Sequence, residues 1–377
     1  MRDPRLRLLL GVGILAALAV SFVGGAFQDP QSAPAALKGR VVTETIAAPS
    51  LVGNLIADKA EKTIAVYLPP SYDSAQARYP VVYFLPGYGG GWYPFEDQTN
   101  RLVASGGVKE MIVVTVPGQH RFGGSFYVDS PVTGNWEDLI VADIVGYVDA
   151  HYRTLPQSAS RGIGGHSMGG YGALNLAMLH PDVFGAVYSL SPGLFDPNGL
   201  AESQMFSYGG AIKAFLALQD RLAPLSREDA ARQFETEAGR TSADLNFTIA
   251  YGEAFAADPS KNAPYLDYPY RYEGTSLVRD AEVWARWEEG FGGIAAETER
   301  YRANLLSLAA IGLDYAPNDN YAWIPKGCEY YVATLTAAGI PIEVNTHRGG
   351  HQGLLRQRLE QFLLPFFSRV LETEQGD

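Results

Sequence analysis

Short runs with β-type patterns recur along the chain and predict the strands of a buried sheet. The runs cover residues 41–46, 63–68, 81–85, 111–116, 161–163, 186–190, 305–313 and 342–346. Residues 81–85 read Val-Val-Tyr-Phe-Leu, and a run that is apolar throughout is typical of a strand with both faces buried. Residues 63–68 instead alternate, which places Ile64, Val66 and Leu68 on one face.

Segments between these runs carry the spacing of amphipathic helices. In residues 136–152, Ile140, Ile144 and Val148 recur at the interval that aligns side chains on one helix face. Similar patterns predict helices over residues 170–180, 330–338 and 354–371. Strands that alternate with helices predict an α/β fold, in which a mostly parallel sheet of about eight strands is covered on both faces.

Residues 196–303 interrupt this alternation after the sixth predicted strand. They contain helical patterns but no buried strand, so we expect an inserted helical cap over the strand ends; a decoration packed away from the site is the alternative. The predicted helices cover residues 211–225, 227–238 and 278–289. Tyrosines concentrate in residues 265–272, where they either line a pocket or pack the cap. Tyr265 and Tyr268, together with Trp92, are the predicted substrate contacts.

Composition excludes several classes of protein. The 377 residues carry a net charge of −12, which argues against nucleic acid or an anionic membrane surface as the main partner. The single cysteine, Cys328, excludes an internal disulfide and a cysteine-based zinc site. The chain has neither a P-loop nor the glycine pattern of a dinucleotide site, so no nucleotide cofactor is expected.

Residues 1–26 have the three-part layout of a secretory signal peptide. Three arginines precede the apolar residues 8–23, and small residues up to Ala26 predict cleavage after that position. An uncleaved anchor is the alternative, because the apolar run is near the short limit for spanning a bilayer. Residues 27–38 are then a linker and residues 39–377 a folded domain that is secreted or periplasmic, or anchored by its N-terminus.

The strongest chemical motif is Gly-X-Ser-X-Gly at Gly165, Ser167 and Gly169. It lies between the β-type run at residues 161–163 and the helix predicted over residues 170–180. A serine in this strand–turn–helix context is typical of a nucleophile elbow, whose sharp turn exposes the hydroxyl. The motif predicts Ser167 as a nucleophile, which requires a base and an acid.

Few histidines can serve as the base. Of the six in the chain, only His180, His347 and His351 follow Ser167, as the chain order of α/β-hydrolases requires. His180 ends the helix that starts at the motif and therefore lies far from the serine. His347 belongs to the exit of the last strand and is expected to be structural or supporting. His351 follows two glycines on a loop that can turn inward, so it is the predicted base.

The acid is expected after a strand that lies between the serine and the base. Asp319 lies in an Ala-Pro-Asn-Asp-Asn loop after residues 305–313 and is the leading candidate. Asp314, closer to the strand end, and Asp196, after the preceding strand, are the alternatives.

Oxyanion donors are predicted at two backbone positions. One is the N–H of Met168, which follows the nucleophile. The other is the N–H of Tyr88 in the glycine-rich residues 85–92, which follow a buried strand. Glycines there allow the backbone to approach the substrate closely.

These residues resemble the putative-esterase branch of the α/β-hydrolases. That branch includes esterase D-like, feruloyl, acetylxylan and enterochelin esterases and the antigen 85 mycolyltransferases. Besides the Gly-His-Ser-Met-Gly-Gly elbow, the matching segments are residues 66–72, 79–85, 123–127, 147–154, 182–187 and 349–351. The resemblance covers residues 40–195 and 305–370 and leaves the insertion outside it.

The resemblance also implies site residues. The family's Asp-X-Gly-X-X-Asp loop aligns with residues 314–319, which implies Asp319 as the acid of the triad. Two positions depart from the family pattern: Pro86 stands where many relatives have histidine, and Ala316 replaces the glycine of the acid loop. Ala316 is expected to be tolerated unless a positive φ is required there.

The sequence therefore predicts an exported serine hydrolase with the α/β-hydrolase fold. It would cleave a small-molecule or glycan carboxylic ester through an acyl-enzyme, with no metal or cofactor. The nearest alternative is an acyltransferase of the mycolyltransferase type, in which an alcohol replaces water in the second step. A non-catalytic binding protein on a hydrolase scaffold is the alternative from a different class.

Overall fold

The central sheet has eight strands at the positions of the eight predicted runs. The computed structural model describes residues 38–91, 95–237 and 240–374, so the predictions for residues 1–37 lie outside it. The strands are β1 (Arg40–Ala47), β2 (Glu61–Leu68), β3 (Val81–Leu85), β4 (Ile112–Thr115), β5 (Arg161–His166), β6 (Ala186–Leu190), β7 (Ala310–Tyr315) and β8 (Glu343–Thr346). The predicted α/β class is confirmed.

The strand order is β1-β2-β4-β3-β5-β6-β7-β8. β2 runs antiparallel to β1 and β4, whereas every other neighbouring pair is parallel. The carboxyl ends of β3 to β8 therefore lie along one edge of the sheet, where open α/β sheets carry their functional residues. In the register of β5, β6 and β7, Leu190 pairs with both His166 and Asp314, which aligns these three strand ends.

Eleven helices are formed by the described residues outside the sheet, besides two short 3₁₀ turns. They are α1 (Glu96–Ala104), α2 (Trp136–Asp138, Leu139–Ile144 and Val145–His151 in succession), α3 (Met168–Leu179), α4 (Gly199–Glu202), α5 (Gly209–Leu222), α6 (Arg227–Glu237), α7 (Ala243–Phe255), α8 (Ala281–Ala296), α9 (Arg302–Ser307), α10 (Trp323–Ala337) and α11 (Leu355–Arg358, Leu359–Leu363 and Leu364–Val370 in succession). The middle segments of α2 and α11 are π-helical. In the described parts of the chain, no helix has the length and apolar character to cross a membrane.

Helices cover both faces of the sheet. The larger hydrophobic core includes α2, α3 and much of α7 and α8. The second core lies on the opposite face, where Leu363 and Phe367 of α11 and Phe95 beside α1 pack against β3, β4 and β6. α3 is buried along almost its whole length, since only Leu179 among its residues has more than slight exposure. Because α3 is so deeply buried, the turn between β5 and α3 is held in a fixed position.

The inserted segment between β6 and β7 is mainly helical, as expected. It contributes α4 to α9 and a small hairpin, Tyr270–Glu273 paired with Ser276–Arg279, whose residues are mostly exposed. Side chains cap three of its helices: Ser226 accepts from the N–H of Asp229, Ser242 from that of Leu245, and Asp280 from those of Glu282 and Val283. Each cap satisfies backbone donors that a helix start leaves free.

The structure differs from the predictions at several elements. α10 starts at Trp323, whereas the predicted helix starts at residue 330. Residues 305–307 belong to α9, and β7 starts only at Ala310, because a short apolar run does not by itself distinguish helix from strand. The helix predicted over residues 278–289 starts later, since Val278 lies in the hairpin and Asp280 caps α8. α7 was not predicted because it is buried around most of its circumference and therefore lacks a polar stripe.

Candidate active site

Ser167 lies on the turn between β5 and α3. Its φ of 57° and ψ of −116° are unusual for a residue with a side chain and match the strained turn of a nucleophile elbow. A Cβ atom on Gly165 would lie 2.1 Å from the carbonyl oxygen of Gly169, and one on Gly169 would lie 1.9 Å from that of Leu85. Both glycines are therefore required by close backbone packing.

A hydrogen-bonded chain links Ser167, His351 and Asp319. The distance from Ser167 Oγ to His351 Nε2 is 2.8 Å, and that from His351 Nδ1 to Asp319 Oδ2 is 2.9 Å. Because an ionised carboxylate only accepts, Nδ1 is the protonated nitrogen, and Nε2 is free to accept from the serine hydroxyl. The structure thus brings together the three predicted triad residues in the order that nucleophilic catalysis requires.

Neighbouring groups hold the acid and the base in place. Asp319 Oδ1 accepts from the backbone N–H of Tyr321 at 2.8 Å, so its two oxygens have different partners. The ring of Tyr321 meets that of His351 edge-on at a centroid distance of 5.1 Å. Ala316 is not among the described residues with positive φ, so this loop does not need the glycine that the family pattern has there.

Two buried side chains support His351 through its backbone. The His351 carbonyl oxygen accepts from His166 Nε2 at 2.9 Å and from Arg358 Nη1 at 3.3 Å. Burial lowers the pKa of His166 well below its usual value, and the nearby His351 and Arg358 lower it further. His166 is therefore neutral, with its proton on Nε2.

Arg358 also binds a second buried aspartate, Asp314, which lies outside the triad. Its Nε lies 3.0 Å from Asp314 Oδ1, and its Nη2 lies 3.0 Å from the Oγ of Ser191. His347 lies beside this pair, with Nε2 3.7 Å from Asp314 Oδ1, which is too long for a hydrogen bond. Asp314, the alternative for the acid, thus belongs to a separate cluster together with His347, for which the sequence predicts a structural or supporting role.

Sequence reasoning did not identify Arg358, although its position carried a signal. It follows Leu355 by three residues and precedes Leu359 and Phe362, so it lies on the apolar stripe of α11. A basic residue on a buried stripe must find a partner inside the protein. The sequence alone does not show that this partner is Asp314.

The loop after β3 lies against the nucleophile. A Cβ atom on Gly87 would lie 3.2 Å from Ser167 Cβ. The Gly87 carbonyl oxygen accepts from Gly90 N at 2.9 Å and from Gln119 Nε2 at 3.0 Å. In a trans peptide the next N–H points the opposite way, so the Tyr88 N–H is directed away from Gln119. Met168, the first residue of α3, has an N–H that no acceptor within the helix can reach.

A cavity of about 300 Å³ opens over Ser167 and His351. Its walls include residues 87–90 of the loop after β3 and three residues of the inserted segment: Gln204, Phe247 and Phe291. The insertion therefore contributes directly to the site, which argues against a decoration packed elsewhere. Among the described residues, no charged side chain lines this cavity. Its walls suit an uncharged, partly aromatic or aliphatic ligand.

The predicted substrate contacts are not brought to this cavity by the structure. Trp92 lies outside the described residues. Tyr265 and Tyr268 are buried inside the insertion and are not among the residues that line the cavity. Tyr268 stacks on Phe215 with ring centroids 3.8 Å apart. These two tyrosines pack the core of the cap, the second of the two roles considered for them.

The remaining alternatives, Asp196 and His180, do not line the cavity over Ser167. Asp196 accepts from the N–H of Asn198 and precedes α4. His180 lies at the far end of α3, where its Nε2 is 2.7 Å from Glu137 Oε1. No cluster of His, Cys, Asp and Glu that could hold a metal ion is present in the described ranges.

Comparison with known proteins places the chain in a family. The family described as Putative esterase matches residues 58–255, which is more than half of the chain. The chain belongs to this family. The match includes the first half of the insertion, which we had expected to lie outside it, and ends before Asp319 and His351.

Two curated relatives share part of the sequence. Esterase Rv1288 of Mycobacterium tuberculosis (strain ATCC 25618 / H37Rv) is 29% identical over 138 residues, covering 34% of this chain and 28% of that protein. An endo-1,4-beta-xylanase/feruloyl esterase of Xylanibacter ruminicola is 27% identical over 162 residues, covering 39% of this chain and 22% of that protein. The matched parts thus span only about a quarter of the length of these relatives.

Solved structures show the same fold. A ferulic acid esterase superposes with a TM-score of 0.56 and 22% identity, covering 89% of this chain and all of that one. The fold is that of an α/β-hydrolase. The chain is thus a member of the Putative esterase family with an α/β-hydrolase fold.

Proposed function

We propose that the chain is an exported serine esterase that cleaves uncharged carboxylic esters with a Ser167–His351–Asp319 triad. One observation carries the proposal: the hydrogen-bonded chain from Ser167 Oγ through His351 to Asp319, which opens onto a cavity beside the nucleophile. A serine, histidine and carboxylate that lie in this order activate the hydroxyl for acyl transfer.

The proposed reaction has two halves. In the first, Ser167 Oγ attacks the acyl carbon while His351 Nε2 takes the hydroxyl proton and returns it to the leaving alcohol. In the second, water attacks the acyl-enzyme, and His351 again transfers the proton. Asp319 holds Nδ1–H throughout and stabilises the imidazolium that forms in each half.

The oxyanion is proposed to accept from the backbone N–H groups of Tyr88 and Met168. The proximity of Gly87 to Ser167 and the orientation of the Gly87–Tyr88 peptide support the first donor. The position of Met168 at the start of α3 supports the second, because helix N-termini present unpaired N–H groups and a positive dipole end. Each such donor typically contributes about 10²–10³ in rate.

The cavity walls indicate the class of substrate. Phe247, Phe291 and Trp323 present aromatic faces, and no charged side chain of the described residues lines the cavity. Burying an ionised group there without a partner would cost free energy, whereas burying an apolar group is favourable. We therefore propose a neutral acyl group, with an aromatic acyl group as one candidate because the Xylanibacter relative is named a feruloyl esterase.

Replacement of Ser167 by alanine tests the function. We expect Ser167→Ala to lower the turnover of short p-nitrophenyl esters by at least about 10⁴-fold. The control is Ser74→Ala, which removes an exposed hydroxyl that does not line the cavity and should leave turnover unchanged. A fluorophosphonate should label the wild type and Ser74→Ala but not Ser167→Ala. Equal turnover by folded Ser167→Ala would overturn the proposal.

Export is supported by the pattern of the first 26 residues. The proposal predicts that protein recovered from the producing cell begins at Phe27, which N-terminal sequencing measures. A mature protein that retains the apolar residues 8–23 would instead support the anchor.

A further inference from the structure

Gln204 is a polar residue of the cavity that the proposed reaction does not use. It follows α4 in the inserted segment, is half-buried, and lines the same cavity as Ser167. Its Oε1 lies 3.1 Å from the indole Nε1 of Trp323, the first residue of α10. This hydrogen bond joins the insertion to the helix that follows the acid loop.

Aromatic packing fixes the donor of this hydrogen bond. Trp323 is only 4% exposed. Its ring meets that of Phe195 at 5.0 Å and lies nearly parallel to that of Phe291 at 5.9 Å. With both rings in place, the indole N–H has little freedom to turn away from Gln204.

The chemistry of the indole then fixes the orientation of the amide. An indole nitrogen donates and does not accept, so the amide atom that faces it must be the oxygen. The Nε2 group of Gln204 must therefore point away from the indole of Trp323. Within the described residues, its two N–H groups form no hydrogen bond.

A second glutamine of the cavity offers a contrast. Gln352 follows His351 directly and also lines the cavity, but its side chain is exposed and has no hydrogen-bond partner within the described residues. Its amide can rotate freely and is solvated. Gln204 is the glutamine whose donor is held in one direction, and a donor oriented in advance loses less conformational entropy when it binds.

We propose that Gln204 is a specificity-determining residue that donates from Nε2 to an uncharged acceptor oxygen in the non-reacting part of the ester. This inference rests on the proposed esterase function and extends it to the substrate: beyond the ester group, the substrate carries an ether, hydroxyl or carbonyl oxygen. That oxygen belongs either to the acyl group or to the alcohol, and the experiment below distinguishes them.

Isosteric substrate pairs test the inference. One series consists of methyl alkanoates, and a second of alkyl acetates; in each, an ether oxygen replaces one methylene at successive positions. For each pair we define the oxygen preference as kcat/KM of the ether ester divided by kcat/KM of the alkyl ester. Because both values come from one preparation, partial unfolding of a variant cancels from this ratio.

Gln204→Met removes the donor and keeps the length of the side chain. We expect the oxygen preference to fall by about three- to tenfold at one position of one series, which is the effect of losing one neutral hydrogen bond. The matched control, Gln352→Met, should leave the oxygen preference unchanged. Trp323→Phe removes the indole N–H and frees the Gln204 amide to rotate, so it should lower the same ratio by a smaller factor.

The outcomes separate this inference from the proposed function. A fall confined to the alkanoate series assigns the acceptor to the acyl group, and a fall confined to the acetate series assigns it to the alcohol. An unchanged ratio in Gln204→Met across both series, with ester cleavage still dependent on Ser167, overturns the role of Gln204 alone. A fall in Gln352→Met equal to that in Gln204→Met also overturns it. Wild-type protein that cleaves no ester would overturn both proposals.

Discussion

Two aspartate–histidine pairs lie close together near the carboxyl ends of β7 and β8. In the triad pair, Asp319 and His351, the carboxylate is 2.9 Å from Nδ1, and Nε2 reaches the nucleophile. In the inner pair, Asp314 and His347, the two groups are 3.7 Å apart, and the carboxylate instead binds Arg358. The same two residue types therefore reach the proposed nucleophile in one pair and lie beside a buried cation in the other.

The partners of each aspartate explain this difference. Among the described residues, Asp319 accepts from two neutral donors, the His351 ring and the Tyr321 N–H, and has no lysine or arginine partner. In the proposed reaction its charge is therefore available to stabilise an imidazolium. The charge of Asp314 is opposed by a guanidinium at 3.0 Å. Burial raises the pKa of Asp314, and the nearby Arg358 opposes that rise. An aspartate that supports a catalytic histidine must therefore lie close to that histidine and must also have no lysine or arginine that competes for its charge.

The histidines differ in the same way. Burial lowers the pKa of His347 to about 4, and the positive charge of Arg358 adds to this effect. A histidine with so low a pKa is a poor proton acceptor near neutral pH. His347 Nδ1 accepts from the backbone N–H of Gly349 at 3.2 Å, which helps to shape the loop before His351.

Replacing each histidine should give the largest contrast between the pairs. We expect His351→Gln to lower kcat/KM by about 10⁴–10⁶, because Ser167 loses its base, and His347→Gln to lower it by no more than about tenfold. Ester turnover by purified variants, normalised to the folded fraction from circular dichroism, measures both effects. Similar losses in the two variants would remove the distinction between the pairs.

Replacing each aspartate should separate activity from stability. Asp319→Asn is expected to lower kcat by about 10³–10⁴, because the amide no longer holds the imidazolium in its productive orientation, with little change in the free energy of unfolding. Asp314→Asn should instead lower the free energy of unfolding by about 3–5 kcal/mol, since Arg358 is left buried without its counter-charge. Urea unfolding and ester turnover are measured on both variants.

A double variant provides the control for the inner pair. In Asp314→Asn/Arg358→Met the unpaired cation is also removed, so part of the lost stability should return. Loss of activity in Asp314→Asn without a change in the free energy of unfolding would contradict this interpretation. A double variant that is less stable than Asp314→Asn would contradict it as well.

The smallest effect is expected in the response to acid. The pKa of His347 is about 4 in the folded protein and about 6.5 in an unfolded chain. Between these values the unfolded state binds more protons, so stability falls as the pH is lowered from about 6.5 to about 4. His347→Gln should therefore lose about 1–2 kcal/mol less stability than the wild type between pH 7 and pH 5.

Urea unfolding at both pH values measures this difference. His151→Gln, which removes an exposed imidazole from the end of α2, is the matched control for the loss of a histidine. An acid response in His347→Gln that equals the wild type would show that His347 is not held neutral by its surroundings.

Local patterns predicted much of the fold and selected the three residues that form the hydrogen-bonded chain, Ser167, His351 and Asp319. The strand–turn–helix context of Gly165-His-Ser-Met-Gly169 and the chain order of serine, acid and base are visible within short segments. Two of the predicted strands, at residues 81–85 and 186–190, have the same bounds as β3 and β6, because a short apolar run bounded by turn residues leaves little room for error. The start of α8 was less predictable, since it depends on the hairpin before it.

Cavity contacts were the least predictable part of the site. Tyrosine-rich residues 265–272 suggested a pocket, but Tyr265 and Tyr268 pack inside the cap, while Phe247 and Gln204 reach the cavity. An aromatic residue buried in a core and one exposed in a pocket have the same local pattern. Only the packing of the insertion against the sheet distinguishes them.

The amino-acid sequence by itself determined which residues could form a nucleophile, a base and an acid, because turn chemistry and periodicity act over a few positions. The tertiary structure decided which of them meet. His351 lies 184 residues from Ser167 and 32 from Asp319, and contacts over such separations depend on how the whole sheet assembles. The same assembly placed Arg358 against Asp314 and left Asp319 for His351, since a buried cation binds the carboxylate that packing brings nearest.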